Sequence, residues 1–531
     1  MTWLPRGSSG TPALHNSWLV PLLLPLLASL YLPLAVAGNL PGELVRLQDL
    51  VWPVGVTLIV GMLAWAMVIA TSRDTEKAAL AAVLVIATYS SLGAALKRMG
   101  YPGGDQHVEL LAGLVLLYVV AIGGLILALL GTCRSLREVV RYLTLWGALL
   151  VIWNVGKVAW GQAHAGRRPN PPVSAEISAP ATPPEPAPDI YLILLDKYTG
   201  SRMLDSAFGF DNRPFEAELR SRGFAVPTDA HANYIHTFLA LGAMLNLRYL
   251  NDLTAQYGNR SEWELVYPLI ENNRLAAFLR SRGYTIVTLP TAFSGTRENR
   301  YADLEIPDPR DVRSEIYARW VHTTAGPALR TLACHVVGCE ENDPPYVPSS
   351  ADVLDRQFQA LADLPRDGKR ALFVFAHLLV PHEPYMYGPK CEHRSPFWPL
   401  QDAAQIERVR RSYLDQIMCV NARLLPLVDT IRARSRVPPI ILLQSDHGHG
   451  RMGRRPPALG AVAPDVVRER QSVFAAYLLP GVPADSISPR ITPVNATRFV
   501  LRHYFQADLP ALPDATFWSD ARQPYIFERV Q

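Results

Sequence analysis

Apolar and polar positions divide this 531-residue chain into two unlike parts. Long apolar runs fill the first third, at about 18–37, 52–71, 78–96, 108–130 and 142–160. Each is close to the roughly 20 residues with which a helix crosses a bilayer, so five membrane spans are predicted. Trp18, Trp52, Trp146, Trp153 and Trp160 sit within these runs or near their ends, as interfacial aromatics do. No charged residue stands in the middle of a span, so nothing marks an ion path or a proton relay. The first run has two readings. It is either a retained helix or a cleaved signal peptide of unusual length, with Arg6 as its positive start and Ala35-Val36-Ala37 as its cleavage site. Both readings leave the C-terminal part outside.

A linker follows. Residues 169–188 hold eight prolines and almost nothing that could pack. Such a segment is extended and semi-rigid, reaching up to about 60 Å at roughly 3.1 Å per residue. From Asp189 onward short apolar runs alternate with amphipathic ones. Predicted strands are Ile190–Leu195, Thr285–Leu289, Ala371–Ala376, Ile440–Leu443 and Val473–Leu479. Between them lie helical patterns such as Phe215–Arg222, Arg274–Arg282 and Arg411–Arg432. This alternation predicts an α/β domain whose mostly parallel sheet is sandwiched by helices. The expected organisation is a transmembrane bundle over 1–163, a Pro-rich linker over 164–188 and one α/β domain over 189–531.

Charge settles the orientation. Arg73, Lys77, Arg134, Arg137 and Arg141 fall in one set of loops, against Arg46, Lys97 and Arg98 in the alternate set. By the positive-inside rule the N-terminus is inside, and five crossings place everything after Trp160 outside. A net charge of +4, with no long basic run, argues against a nucleic-acid partner. Of the five cysteines, Cys133 lies in the apolar third. The other four are expected to pair as Cys334–Cys339 and Cys391–Cys419, in keeping with an oxidising compartment.

Four stretches carry candidate chemistry. Residues 440–450, IILLQSDHGHG, form an apolar run followed by Asp446, His447 and two glycines. An unbroken apolar run reads as a central parallel strand buried on both faces, and ligands bind where such strands end. Asp and His together there are metal ligands, although an isolated Asp-His-Gly turn facing solvent has the same sequence. Residues 189–200, DIYLILLDKYTG, repeat the design and deliver Asp196. Thr237 stands at the start of an apolar helical pattern, where N–H groups and the dipole favour anions. Taken alone it reads as a capping residue. In FVFAHLLVPHEPY, residues 373–385, a strand ends near His377, and His382 follows in a Pro-flanked turn. These two histidines are candidates for a substrate or metal role.

Together the stretches LILLD, NYIHT, HLLVPHEPY and SDHG, in this order, resemble the alkaline phosphatase superfamily. They are most similar to its membrane-anchored sulfatase-like branch, which includes lipoteichoic acid synthases and lipid A phosphoethanolamine transferases. The resemblance spans nearly all of 189–490, and five preceding helices match those transferases too. It implies an alkaline phosphatase-like fold in which Asp196, Asp446, His447 and Thr237 bind one divalent metal ion. Zinc or manganese is the expected ion, with magnesium or calcium as alternatives. It further implies Thr237 as nucleophile, His382 as substrate-contacting or proton-donating group, and substrate-facing places for His377 and His449. The activity implied is transfer of a substituted phosphoryl group from a membrane phospholipid to an envelope glycan or lipid, outside the cytoplasmic membrane. A hydrolase of phosphodiester, phosphate or sulfate esters is the alternative, and a non-catalytic binding protein a third. Two departures bear on donor and acceptor. Asp196 stands where the named transferases generally use Glu, and His449 where a Glu often follows Asp-His-Gly. No C/S-x-P-x-R motif of true sulfatases surrounds Thr237.

Overall fold

The computed structural model describes residues 19–39, 45, 47–98, 108–132, 135–165, 177–180, 186–306, 320–321, 323–337, 350–364, 370–397, 406–450 and 457–530. These form two compact units, one of residues 1–168 and 314–338, the other of 169–313 and 339–531. Residues 314–338 thus cluster with the N-terminal helices.

Among the described residues of the first unit, five helices are long and apolar enough to cross a membrane. They are α1 (Leu19–Gly38), α2 (Val51–Ser72), α3 (Thr75–Arg98), α4 (Val108–Gly131) and α5 (Arg137–Ala165). The faces that meet are small or weakly polar. Ser29 Oγ donates to Thr57 O at 3.1 Å and Thr57 Oγ1 to Ser29 O at 2.9 Å, locking α1 to α2. Such reciprocal bonds satisfy hydroxyls that hydrocarbon could not. At the opposite ends, Lys77 Nζ donates to the carbonyls of Leu130 and Thr132, both at 2.8 Å, capping the C-terminus of α4. Glu76 accepts from Leu136 N at 3.1 Å and lies 3.4 Å from Arg137. A helix at Gly326–Val337 packs on α3 and α4, although its sequence neighbours belong to the second unit.

The second unit is built on a six-stranded sheet. Its strands are β1 (Ile190–Leu195), β2 (Thr285–Leu289), β3 (Leu304–Glu305), β4 (Leu372–Leu378), β7 (Ile440–Ser445) and β8 (Ala475–Leu478), in the order β3-β2-β4-β1-β7-β8. All neighbours are parallel except β7 and β8. Every residue of β1, β4 and β7 is buried. That is why their sequences run apolar without alternation: helices cover both faces of a parallel sheet. Two antiparallel pairs lie outside it, β5 (Tyr385–Tyr387) with β6 (His393–Phe397), and β9 (Phe517–Asp520) with β10 (Gln523–Arg529). Helix Ile406–Arg434 supplies Tyr413, Ile417, Val420, Leu424 and Val428 to the main core. A disulfide, Cys391–Cys419, joins it to the loop after β5. The pair Cys334–Cys339 falls outside the described residues, as does most of the linker.

Registers place the site. Leu195 pairs with Leu378 on one side and Ser445 on the other. Asp196, His377 and Asp446 therefore come to one edge of the sheet, the carboxyl end of its three central strands, where an open α/β sheet presents ligands.

Candidate active site

Asp196 follows the last residue of β1, and its amide donates to Leu378 O at 3.0 Å. Lys197 then takes a left-handed conformation, φ 68°, which turns the chain off the sheet. Its amide donates to Asp446 Oδ1 at 3.0 Å. Asp446 and His447 follow β7, held by Ser445, whose hydroxyl donates to His447 O at 3.0 Å and accepts from Tyr198 N at 2.9 Å. Gly448 is required by close approach rather than by its own dihedrals. A Cβ there would stand 2.1 Å from Glu469 O and 2.5 Å from Ser472 O. Gly450, with φ 72°, supplies the turn.

One ligand atom each from Asp196, Asp446 and His447 lies within 4.8 Å of the others. Among the described residues, Asp196 Oδ1 and Asp446 Oδ2 are buried with no hydrogen-bond partner. Unpartnered carboxylate oxygens aimed at a common point are what a cation site needs, and two bare carboxylates are otherwise costly to bury together. Donors sharing an ion at about 2.0–2.2 Å stand up to about 4.4 Å apart, so small side-chain adjustments would close the sphere. The residues fit a divalent ion.

Thr237 is the first residue of helix Thr237–Asn246, preceded by extended His236. Its Oγ1 lies 3.1 Å from His447 Nε2. The His447 tautomer follows from its neighbours: Nδ1 is 3.0 Å from Gly448 O, an acceptor, so Nδ1 carries the proton. Nε2 then offers a lone pair to the Thr237 hydroxyl and to Arg470 Nη2 at 3.2 Å. Burial, with Arg470 beside it, holds the imidazole well below its ordinary pKa, so it is neutral, as a metal ligand must be. Burial and the nearby Asp196 push Asp446 up to about 6. For Asp196, burial acts upward, but His382, His377 and His447 outweigh it and hold the carboxyl below the usual range.

The remaining histidines divide. His377 lies on β4, its Nδ1 3.0 Å from Thr296 Oγ1 and its Nε2 3.6 Å from Asp196 Oδ2. His382 sits in the turn between Pro381 and Pro384, both preceded by cis peptide bonds. It is partly exposed, with Nδ1 against the Glu383 carbonyl. Burial lowers its pKa, opposed by Glu383 and Asp196. His449 is buried, with Nε2 3.0 Å from Tyr385 OH and Nδ1 3.5 Å from Glu469 Oε1.

Three residues of the site were not anticipated from sequence. Arg470 reaches in from helix Pro464–Gln471 and donates to Ile235 O, Gly448 O and His449 O at 2.9–3.3 Å, tying the Thr237 approach to the Asp-His-Gly turn. Lys197 forms a buried ion pair with Glu383, at 2.7 and 3.0 Å, that fastens the His382 turn to the end of β1. Lysine and arginine outside a motif carry no local signal; both are identified by where the chain returns.

No family model and no curated protein matches the chain. Solved structures do. The C-terminal periplasmic domain of EptC from Escherichia coli is 10% identical with a TM-score of 0.41, covering 67% of this chain and 94% of its own. The integral membrane lipooligosaccharide phosphoethanolamine transferase A from Neisseria meningitidis is 13% identical with a TM-score of 0.39, covering 93% of this chain and 96% of its own. A putative sulfatase from Bacteroides fragilis is 15% identical with a TM-score of 0.37, covering 63% of this chain and 77% of its own.

Proposed function

We propose that the protein is a membrane-anchored, metal-dependent transferase that moves a substituted phosphoryl group from a phospholipid donor to an envelope glycan or lipid. The observation that carries this reading is the convergence of Asp196, Asp446 and His447 donor atoms within 4.8 Å, with Thr237 Oγ1 3.1 Å from His447 Nε2. Asp196, Asp446, His447 and the Thr237 hydroxyl would hold the ion, and this mixed oxygen and nitrogen set suits zinc or manganese. When bound, such an ion supplies Lewis-acid polarisation of a phosphoryl oxygen and a lowered hydroxyl pKa.

The chain's own groups do the rest. Thr237 Oγ1 bonds to phosphorus as the bond to the lipid alcohol breaks, and the proton Thr237 releases passes by way of His382 to that alcohol. The N–H groups of Thr237 and Phe238, at the start of the helix, have no acceptor within it and would stabilise the charge that develops on the phosphoryl oxygens. Arg470 adds a buried positive charge beside Nε2. In the second half an acceptor hydroxyl bonds to phosphorus as the bond from Thr237 Oγ1 breaks, and His382 carries the acceptor's proton back to Thr237. His377 borders the site through Asp196 and remains a substrate-facing group. His449, 3.0 Å from Tyr385 OH, would help to orient the substrate from beneath the turn. The five spans support a lipid donor, because a tethered domain meets a substrate that does not leave the membrane.

The test is mass spectrometry of the purified, metal-loaded protein after incubation with bacterial phospholipids. A phosphoryl adduct on Thr237, absent from Thr237→Ala, is expected. No adduct with any phospholipid class would overturn the lipid-fed reading. An adduct that water releases without an acceptor would assign the hydrolase.

A further inference from the structure

Residues 314–338 stand in sequence between β3 and helix Ser350–Asp363, both of the second unit, yet they cluster with the membrane helices. The contact is specific. Ala325 and Ala328, buried, with Leu332 against them, pack on Leu92 and Leu96 of α3 and on Leu111 and Val115 of α4. Those four leucine and valine positions lie inside the segments long and apolar enough to span, Thr75–Leu96 and Glu109–Gly131. By the basic-loop count these are the outer ends of the two helices, the side from which α5 also emerges.

Depth can be read along the helices. Lys97 and Glu109 mark where charge begins at the outer ends of α3 and α4. Ala325 N donates at 2.6 Å to the carbonyl of Tyr89, eight residues below Lys97 on α3. At a rise of 1.5 Å per residue that is about 12 Å inward. Half of the hydrocarbon layer is about 15 Å, so the bend at 324–326 would stand near the bilayer midplane.

Non-helical backbone survives there only if protein satisfies its polar groups. At this bend it does. Thr324 Oγ1 donates to Val321 O at 2.9 Å and accepts from Gly326 N at 3.3 Å, and Thr323 Oγ1 donates to Trp320 O at 2.7 Å. Thr324 N donates to Val321 O at 3.0 Å, and Leu329 N to Ala325 O at 2.9 Å. Charge is sparse as well: helix Gly326–Val337 holds one charged residue, Arg330. On the face turned from α3 and α4, Leu329 is 48% exposed and Ala333 is exposed beside it. A leucine left open at this depth meets acyl chains rather than water.

We propose that residues 320–321 and 323–337 belong to a re-entrant element that enters the outer half of the bilayer, seats against α3 and α4, and presents Leu329 to lipid. The chain then anchors its second unit to the membrane at two places, through the linker after α5 and through this element. The inference is independent of the reaction the site performs.

Photo-crosslinking tests it on the full chain in nanodiscs of phosphatidylethanolamine and phosphatidylglycerol. Leu329→p-benzoylphenylalanine should yield lipid adducts at a level comparable with the same substitution at Leu116, an exposed mid-span position of α4. The substitution at Glu218, exposed in the second unit, should yield essentially none. A Glu218-like result at position 329 overturns the proposal. Should the variant not assemble, amide exchange of the unmodified protein decides the matter. The 320–337 peptide is expected to exchange as slowly as peptides of α3, at least 100-fold slower than an unstructured segment. Exchange within seconds would overturn it.

Discussion

Asp446 is the residue on which the site's energetics turn. With its ordinary value at 3.8 and its folded value near 6, the metal-free protein holds this carboxyl more easily protonated than the unfolded chain does. The favourable contribution is complete below 3.8 and is lost as pH rises through about 6, so at neutral pH the charge is a cost. Asn is isosteric and can still accept from Lys197 N. Asp446→Asn should therefore stabilise the chelator-treated protein at pH 7.5, by on the order of 1–3 kcal/mol, while abolishing activity and metal uptake. Calorimetry with and without chelator checks both halves; a destabilised apo variant would remove the argument that the carboxylates are poised for an ion. Lys197 presents the opposite case. Lys197→Met leaves Glu383 buried and unpaired, a loss of about 3–5 kcal/mol, whereas Lys197→Met with Glu383→Leu should recover most of it. Thermal unfolding of the three variants measures the difference. At this scale the sequence was readable where chemistry sits at the end of an apolar run, as with Asp196 and Asp446, or at a helix start, as with Thr237. Arg470, Lys197 and Thr296 were not readable, because each acts through a partner more than 20 residues away in the chain.

At the scale of elements, the buried strands were the plainest signal. β2 runs over the predicted Thr285–Leu289, and β1, β4 and β7 lie within two residues of expectation at most ends. Burial on both faces leaves such strands mostly apolar, so the apolar run marks the element, while the buried polar residues His377, Gln444 and Ser445 carry β4 and β7 past its end. The two antiparallel pairs and the re-entrant helix escaped for the converse reason. β5 and β6 mix polar and aromatic residues without a period, and Gly326–Val337 is too short and too mixed to read as a span. The Asp-His-Gly turn gives this scale its sharpest test. Gly448→Ala drives a Cβ into two backbone carbonyls, which cannot rotate away as a side chain could. We expect the turn to shift and activity to fall at least 100-fold, while Gly460→Ala, with open space around it, changes nothing measurable. The Cys391–Cys419 bond closes a 28-residue separation, and removing it as a double serine variant should cost about 3–4 kcal/mol by chain entropy. Unfolding midpoints under oxidising and reducing conditions report that loss; equal midpoints for the native pair would mean the bond adds nothing.

For the molecule as a whole, the arrangement of charge decides which side of the membrane the site occupies. Three separate features agree. Basic residues crowd the loops after α2 and α4, and Lys77, Glu76 and Arg137 knit those loops together at one end of the bundle. The linker leaves from the other end, after Ala165. The segment around Ala325, arriving from the second unit, packs on α3 and α4 at that same other end, against Leu96 and Leu111. An export-dependent reporter fused after Gln531 should therefore be active, and the same reporter fused after Thr132, in the loop beyond α4, should be silent. Replacing Arg134, Arg137 and Arg141 by Asn removes part of the inside signal without touching an outer contact. It should lower the active fraction of the Gln531 fusion and raise that of the Thr132 fusion, because both report one insertion event. Activity of the Thr132 fusion in the unmodified chain, with silence at Gln531, would invert the topology. The proposed site would then face the cytoplasm, where an envelope acceptor is out of its reach.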